Sequence, residues 1–111
     1  VIGALAALSA AIAIAASAFG AHAAKSAEAA DWLRTGGLYQ LIHAVAILAL
    51  LRLPTGNGVL YTLLGGSALF AATLYAMALG GPRWLGAVTP IGGTIMILGW
   101  LWLAWQLYRG S

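Results

Sequence analysis

Four apolar runs, each long enough to cross a bilayer and free of charge but for Arg52 near the end of the second, decide what this chain can fold into. A helix needs about 20 apolar residues to cross a hydrocarbon core of roughly 30 Å. The runs fall at about 1–24, 35–53, 59–80 and 90–108. Charges gather where the runs end, at Lys25, Arg34, Arg52, Arg83 and Arg109, with Glu28 and Asp31 between the first two runs. Charged side chains make up 6% of the chain, against about 25% in an ordinary soluble domain. A soluble fold covers its surface with polar groups, and this chain has too few. Its solvent is therefore the lipid bilayer. The expected fold is all-α, a four-helix transmembrane bundle forming a single integral membrane domain over residues 1–111.

The same composition excludes whole classes of function. The net charge of +3 comes from five scattered basic residues. They form no clustered patch of the kind that phosphate tracking needs, so nucleic acid is not an expected partner. Cysteine is absent, which removes disulfides, thiol catalysis and zinc–thiolate sites. No nucleophile with its base, no phosphate loop and no metal-ligand cluster stands out. Neither a catalytic nor a metal site is expected, and no cofactor is required. The first run could pass for a cleavable signal peptide, but it shows no basic leading segment and, at about 24 residues, exceeds the usual length. It reads as a retained span.

The connections are KSAEAADWLRTGG, PTGNG and GPRWLGAVT. Pro54, Gly56 and Gly58 make the second a tight turn. Thr89 before Pro90 is a favourable helix start, a threonine that can cap followed by a proline tolerated in the first turn. The first connection is expected to form a short interfacial helix, with Ala27, Ala30, Trp32 and Leu33 turned to lipid. An even number of spans puts both termini on one side. Trp32 and Trp84 mark one interface, and Tyr61, Trp105 and Tyr108 the other. Three basic residues on one face against two on the opposite face do not fix the orientation.

Small residues repeat at helical spacing. Gly3, Ala7, Ala11 and Ala15 form one stripe on the first span, and Ala68, Ala72, Ala76 and Gly80 another on the third. Gly92 and Gly99 share one side of the fourth. Such residues let membrane helices approach closely, either inside one bundle or between copies or different membrane proteins.

The polar residues gather in one half of the membrane: His22, Tyr39, Gln40, His43, Tyr75 and Thr89. Tyr39, Gln40 and His43 share a helix face at i,i+3 and i,i+4 spacing. Polar groups in hydrocarbon are costly unless paired, so this face should point into protein. A histidine in such surroundings is neutral, with one donor and one acceptor nitrogen. The plainest expectation is a hydrogen bond between helices, to Tyr75 or to a backbone carbonyl. A relay or ligand site around His43 and Tyr75 is the alternative, and it would suit a small oligomeric transporter or channel. Ligation of a haem by His22 and His43, or a quinone-carrying role, would require those two histidines to converge. No carboxylate lies inside any span, which argues against a buried acidic relay. VTPIGG, residues 88–93, reads as a capped helix entry in preference to a broken helix.

Four segments together resemble a known family. AFGAHAAK (18–25), YQLIHAVAIL (39–48), LFAATLYAMALGGPRWLGAVTPIGG (69–93) and GWLWLAW (99–105) are similar to small membrane proteins grouped as domain of unknown function 423, which takes in transmembrane-protein-256-like proteins. The resemblance covers nearly the whole chain. It implies a four-span protein, in bacteria of the inner membrane, and it brings no assigned activity. Carried over by position, its motif residues are Phe19, Gly20, Ala21, His22, Lys25, Tyr39, Gln40 and His43. Leu74, Tyr75, Arg83, Trp84, Thr89, Pro90, Gly92, Gly93, Gly99 and Trp100 complete the set. The family often reads LFSGSLY where this chain has LFAATLY, so Ala71 replaces a small polar residue. The expectation from residues and resemblance together is a non-enzymatic membrane protein, a structural or accessory module packing with itself or another membrane partner.

Overall fold

The computed structural model describes residues 1–110, which form four long helices. These are α1 (Ile2–His22), α2 (Ala27–Leu50), α3 (Asn57–Ala78) and α4 (Thr89–Gly110), with a 3-10 turn at Arg83–Ala87 before α4. All four are long and apolar enough to cross a membrane. Antiparallel in succession, they form a body of 48 × 25 × 19 Å.

The helix ends follow from local chemistry. Ser26 caps α2 in extended backbone, its Oγ accepting from the Ala29 N–H at 3.0 Å. Glu28 stands in the first turn, where a negative charge suits the helix dipole. Asp31 and Arg34 pair one turn on, at 2.9 Å. The helix therefore runs unbroken through the stretch expected to form a separate interfacial helix, and begins eight residues before position 35. Leu33 does not face lipid, since it is buried with Ala29 against Ala78. α3 closes in a Schellman motif: Gly80 turns to φ +102°, its N–H donates to the Met77 carbonyl, and the Gly81 N–H to the Ala76 carbonyl. Thr89 begins α4 as expected. Its hydroxyl, however, donates back to the Leu85 carbonyl at 3.2 Å and meets Thr73, so it does not serve as the cap.

α1 packs on α2, α2 on α3, and α3 on α4, with a lighter contact between α1 and α3. α1 and α4 do not pack on each other, and the backbones of α2 and α4 stay apart. The bundle is thus a folded row of helices. Ile2, Ala6, Ile47, Leu50, Val59, Leu60, Leu63 and Leu103 form one apolar cluster at the end nearer the termini. Ala29, Leu33 and Ala78 make a smaller one at the other end, flanked by Tyr75 and Trp32. At that second end Glu28 and Arg83 join the first and third connections, with an oxygen–nitrogen distance of 2.5 Å. The guanidinium also lies 5.5 Å from the Trp32 ring centre. The hydrogen bond and charge of Glu28 push the Arg83 pKa upward. Both partners are largely in solvent, so Glu28→Gln is expected to leave the thermal midpoint near wild type at ordinary salt, which a melting scan checks.

The small residues that pack are not all those of the expected stripes. On α1 the inward positions are Ala6, Ser9, Ala13 and Gly20, while Ala7, Ala11 and Ala15 face outward and Gly3 stands at the edge. On α3 Ala68 and Ala72 are exposed and Ala76 is half-buried, with Gly80 exposed in the turn that follows, whereas Gly66, Ser67 and Ala71 are buried. A stripe at strict i+4 spacing drifts around a 3.6-residue helix, which carries it off the contact face. On α4 both Gly92 and Gly99 are buried against α3, as expected.

Candidate functional site

Two adjacent glycines shape the centre of the molecule. A Cβ on Gly36 would come within 2.7 Å of the Tyr75 ring, so the bare backbone is what lets that ring lie across α2. A Cβ on Gly37 would strike Ser17 and the Ala13 carbonyl, so the same stretch also admits α1. Gly36 and Gly37 thus each accommodate a different neighbour. One turn further along the same helix, Gln40 joins those neighbours chemically. Its Nε2 donates to Ser9 Oγ on α1 at 2.9 Å, and its Oε1 accepts from the Tyr75 hydroxyl on α3 at 2.6 Å. Gln40 is 5% exposed and Ser9 6%, so both bonds lie in protein, where no water competes for them.

His43 begins a second link. Its Nδ1 lies 2.7 Å from the Tyr39 carbonyl, and its Nε2 lies 2.9 Å from the indole Nε1 of Trp100 on α4. A carbonyl only accepts and an indole N–H only donates. Nδ1 must therefore carry the proton and Nε2 the lone pair. The ring is neutral, in one tautomer, with both nitrogens used. Adding a proton would set two donors against each other at Trp100. The two rings meet edge on, with centres 5.7 Å apart. This bond is the bridge between α2 and α4, whose backbones stand apart.

Other expected members of the cluster lie elsewhere. The Tyr39 side chain leans on Phe70 at 5.0 Å between ring centres and is 43% exposed, so only its carbonyl serves His43. Thr89 forms a separate pair with Thr73, their hydroxyl oxygens 2.7 Å apart. His22 ends α1 on an exposed face. It lies thirteen residues from Ser9, roughly 20 Å along the axis at 1.5 Å per residue, while Ser9 sits beside Gln40 at about the depth of His43. The two histidines do not converge, and a shared haem iron is beyond their reach. Of the six residues, then, Gln40 and Tyr75 meet, His43 joins them through α2, and His22, Thr89 and the Tyr39 ring do not.

Ser9, Thr73 and the indole role of Trp100 were not in the expected cluster. Ser9 and Ser17 are the only hydroxyls among residues 1–24, and a lone serine in an apolar span is a signal that a partner stands opposite. Trp100 lies near the middle of α4, 11 residues beyond Thr89 and 10 short of Gly110. An indole N–H at that depth also demands an acceptor, unlike one in an interfacial belt.

Beside the His43–Trp100 bond the surface opens into a wedge of about 320 Å³ between α2 and α4, lined by Tyr39, His43, Phe70, Gly93, Met96, Ile97 and Trp100.

Comparison with known proteins agrees with this architecture. The family described as "Protein of unknown function (DUF423)" matches residues 16–93. A UPF0382 membrane protein of Haemophilus influenzae is 34% identical over 115 aligned positions, covering 96% of this chain and 93% of its own length. One from Staphylococcus saprophyticus is 37% identical, covering 89% of each chain. The UPF0382 inner membrane protein YgdD of Escherichia coli is 37% identical, covering 86% of this chain and 79% of its own. No solved structure matches. Four apolar helices, together with relatives of that name, place the chain in a bacterial inner membrane. By the span of the family match and the likeness to these relatives, it is a small integral membrane protein belonging to the DUF423 family.

Proposed function

We propose that the protein is a non-enzymatic structural or accessory module, a rigid helical unit that packs in the membrane with another copy or a different membrane protein. One observation carries this reading: the polar side chains at the centre are consumed by each other. Gln40 is bonded at both ends, and both His43 nitrogens are engaged. A general base or a relay group needs a lone pair or proton that it can give away, and these groups spend theirs holding helices together. The outward small residues Ala7, Ala11, Ala15, Ala68 and Ala72 support the second half of the reading, since they allow close approach from outside the bundle.

A transporter built on His43 and Tyr75 has less to rest on. The Thr73–Thr89 pair and the Ser9–Gln40–Tyr75 chain share no hydrogen bond, so these two groups do not join into one polar line among the described residues. The test is a flux assay in sealed proteoliposomes, run beside a melting scan. Wild-type vesicles are expected to hold proton and potassium gradients as well as protein-free ones, and His43→Leu to lower the melting midpoint only. A wild-type leak abolished by His43→Leu at unchanged midpoint would overturn the proposal in favour of transport.

A further inference from the structure

Between the second connection and the last turn of α4 lies a cleft of about 550 Å³, lined by Pro54, Gln106, Leu107, Arg109 and Gly110. Its polar groups are donors. Gln106 Oε1 accepts from the Gly56 N–H at 3.3 Å, which leaves Nε2 with no partner among the described residues. Arg109 stacks on Trp105, its guanidinium carbon 5.6 Å from the ring centre, and pairs with no carboxylate among the described residues. Stacking uses a face of the guanidinium and leaves its in-plane N–H groups for an oxyanion. Both acidic side chains of the chain, Glu28 and Asp31, stand at the opposite end of the bundle. Arg52, two residues before Pro54, adds positive charge on the cleft's side without lining it.

Depth selects the source of the oxyanion. The last charge-free run ends at residue 108, so Arg109 stands where hydrocarbon gives way to headgroups. The hydrocarbon core is about 30 Å thick and the bilayer with its headgroups about 40–45 Å, so lipid phosphates occupy the few ångströms just beyond. A phosphate held there by its own lipid is already in place. A free one would have to be drawn from water, at the cost of its own freedom, by one guanidinium and one amide in an open cleft. We propose that this cleft seats the headgroup of an anionic phospholipid, its phosphate taken by Arg109 and Gln106 Nε2. Charge selects an anionic lipid over a zwitterionic one. A choline or ethanolamine headgroup brings an ammonium beside its phosphate, which Arg109 and Arg52 repel and no acidic side chain at this end can pair. Leu107 and Pro54 supply the apolar border that the glycerol and upper acyl chain rest on. This binding goes beyond the packing role and does not depend on it, because Arg109 and Gln106 Nε2 take no part in the bonds between helices.

The experiment is native mass spectrometry of delipidated protein in mild detergent, titrated with phosphatidylglycerol or with phosphatidylcholine of the same acyl chains. Wild type is expected to take up phosphatidylglycerol roughly 5-fold more tightly than phosphatidylcholine. Arg109→Gln is expected to weaken phosphatidylglycerol binding roughly 5- to 10-fold, and Arg52→Gln, an equal loss of charge outside the cleft, to weaken it less. Gln106→Glu keeps an oxygen for the Gly56 N–H but replaces the free donor with negative charge, and is expected to abolish the preference for phosphatidylglycerol. Inorganic phosphate in large excess is expected to leave the lipid bound. Equal affinity for the two lipids overturns the proposal, as does unchanged binding in Arg109→Gln. Equal losses in Arg109→Gln and Arg52→Gln also overturn it, in favour of general surface charge, and displacement by inorganic phosphate does so in favour of a free anion. If Gln106→Glu does not fold, the two arginine variants decide the matter.

Discussion

Gly92→Ala is expected to force α3 and α4 apart and to cost about 2–3 kcal/mol of unfolding free energy, while Gly93→Ala next to it costs nothing. The difference lies in what one added carbon meets. At Gly92 a Cβ would lie 2.6 Å from the Phe70 backbone nitrogen and 2.9 Å from the Gly66 carbonyl oxygen. Those are backbone atoms of a helix, which cannot swing aside as a side chain can. Relief requires the two helices to separate along their contact, with loss of the dispersion contacts that hold membrane helices together. At Gly93 the nearest atom is the Phe70 ring at 3.8 Å, ordinary contact distance. Exchange of glycine for alanine there gains about 0.5–1 kcal/mol in helix propensity, in the scale set by soluble helices. Reversible unfolding in mixed micelles measures both. Equal effects at the two positions would show that α3 and α4 do not meet as described.

Gln40→Leu is expected to cost about 1–3 kcal/mol, through two hydrogen bonds lost together and two hydroxyls left without their partner. Individual interhelical bonds in membranes average only about 0.6 kcal/mol, because an unfolded helix finds other partners in the bilayer. Gln40 is an exception in kind, since one amide links α1 and α3 at once. Tyr75→Phe removes one of those links and is expected to cost about 1 kcal/mol. The double variant should cost clearly less than the sum, because the second change removes a bond already broken. Strict additivity in the same unfolding assay would mean that Tyr75 and Gln40 act independently, against the 2.6 Å contact.

The architecture was legible in the sequence because it follows from one dominant physical requirement. Runs without charge must cross the bilayer as helices, and the short connections leave few topologies. The start of α2 was not, because charged residues outside the hydrocarbon look the same in sequence whether they continue a helix or form a loop. Glu28, Asp31 and Arg34 mark where the helix leaves hydrocarbon, and do not stop it once Ser26 has capped it. The site was legible in part. Gln40, His43 and Tyr75 stood out as polar groups that needed partners, and partners they have. Which partners depended on helix rotation, and i+4 counting does not supply that. The spacing of Gly3, Ala7, Ala11 and Ala15 is compatible with either an inward or an outward face, and in α1 it is Ser9 that points in. The role of Trp100 is not legible in the sequence, because its partner His43 is 57 positions away in the chain.

The folded-row arrangement also bears on how the protein is made. Each helix rests chiefly on the one before it in the chain, so each can dock as soon as it enters the bilayer. No early helix must wait exposed for a late one, the condition that slows assembly when contacts are distant in sequence. The first hairpin can settle over Gly37 and the Gln40–Ser9 bond before α4 has been synthesised. What remains for the end is the seating of α4 on α3 and the closing of the indole bond to His43. Truncation before α4 should then leave a stable three-helix intermediate, already bonded through Gln40, with its histidine still open to whatever is inserted next.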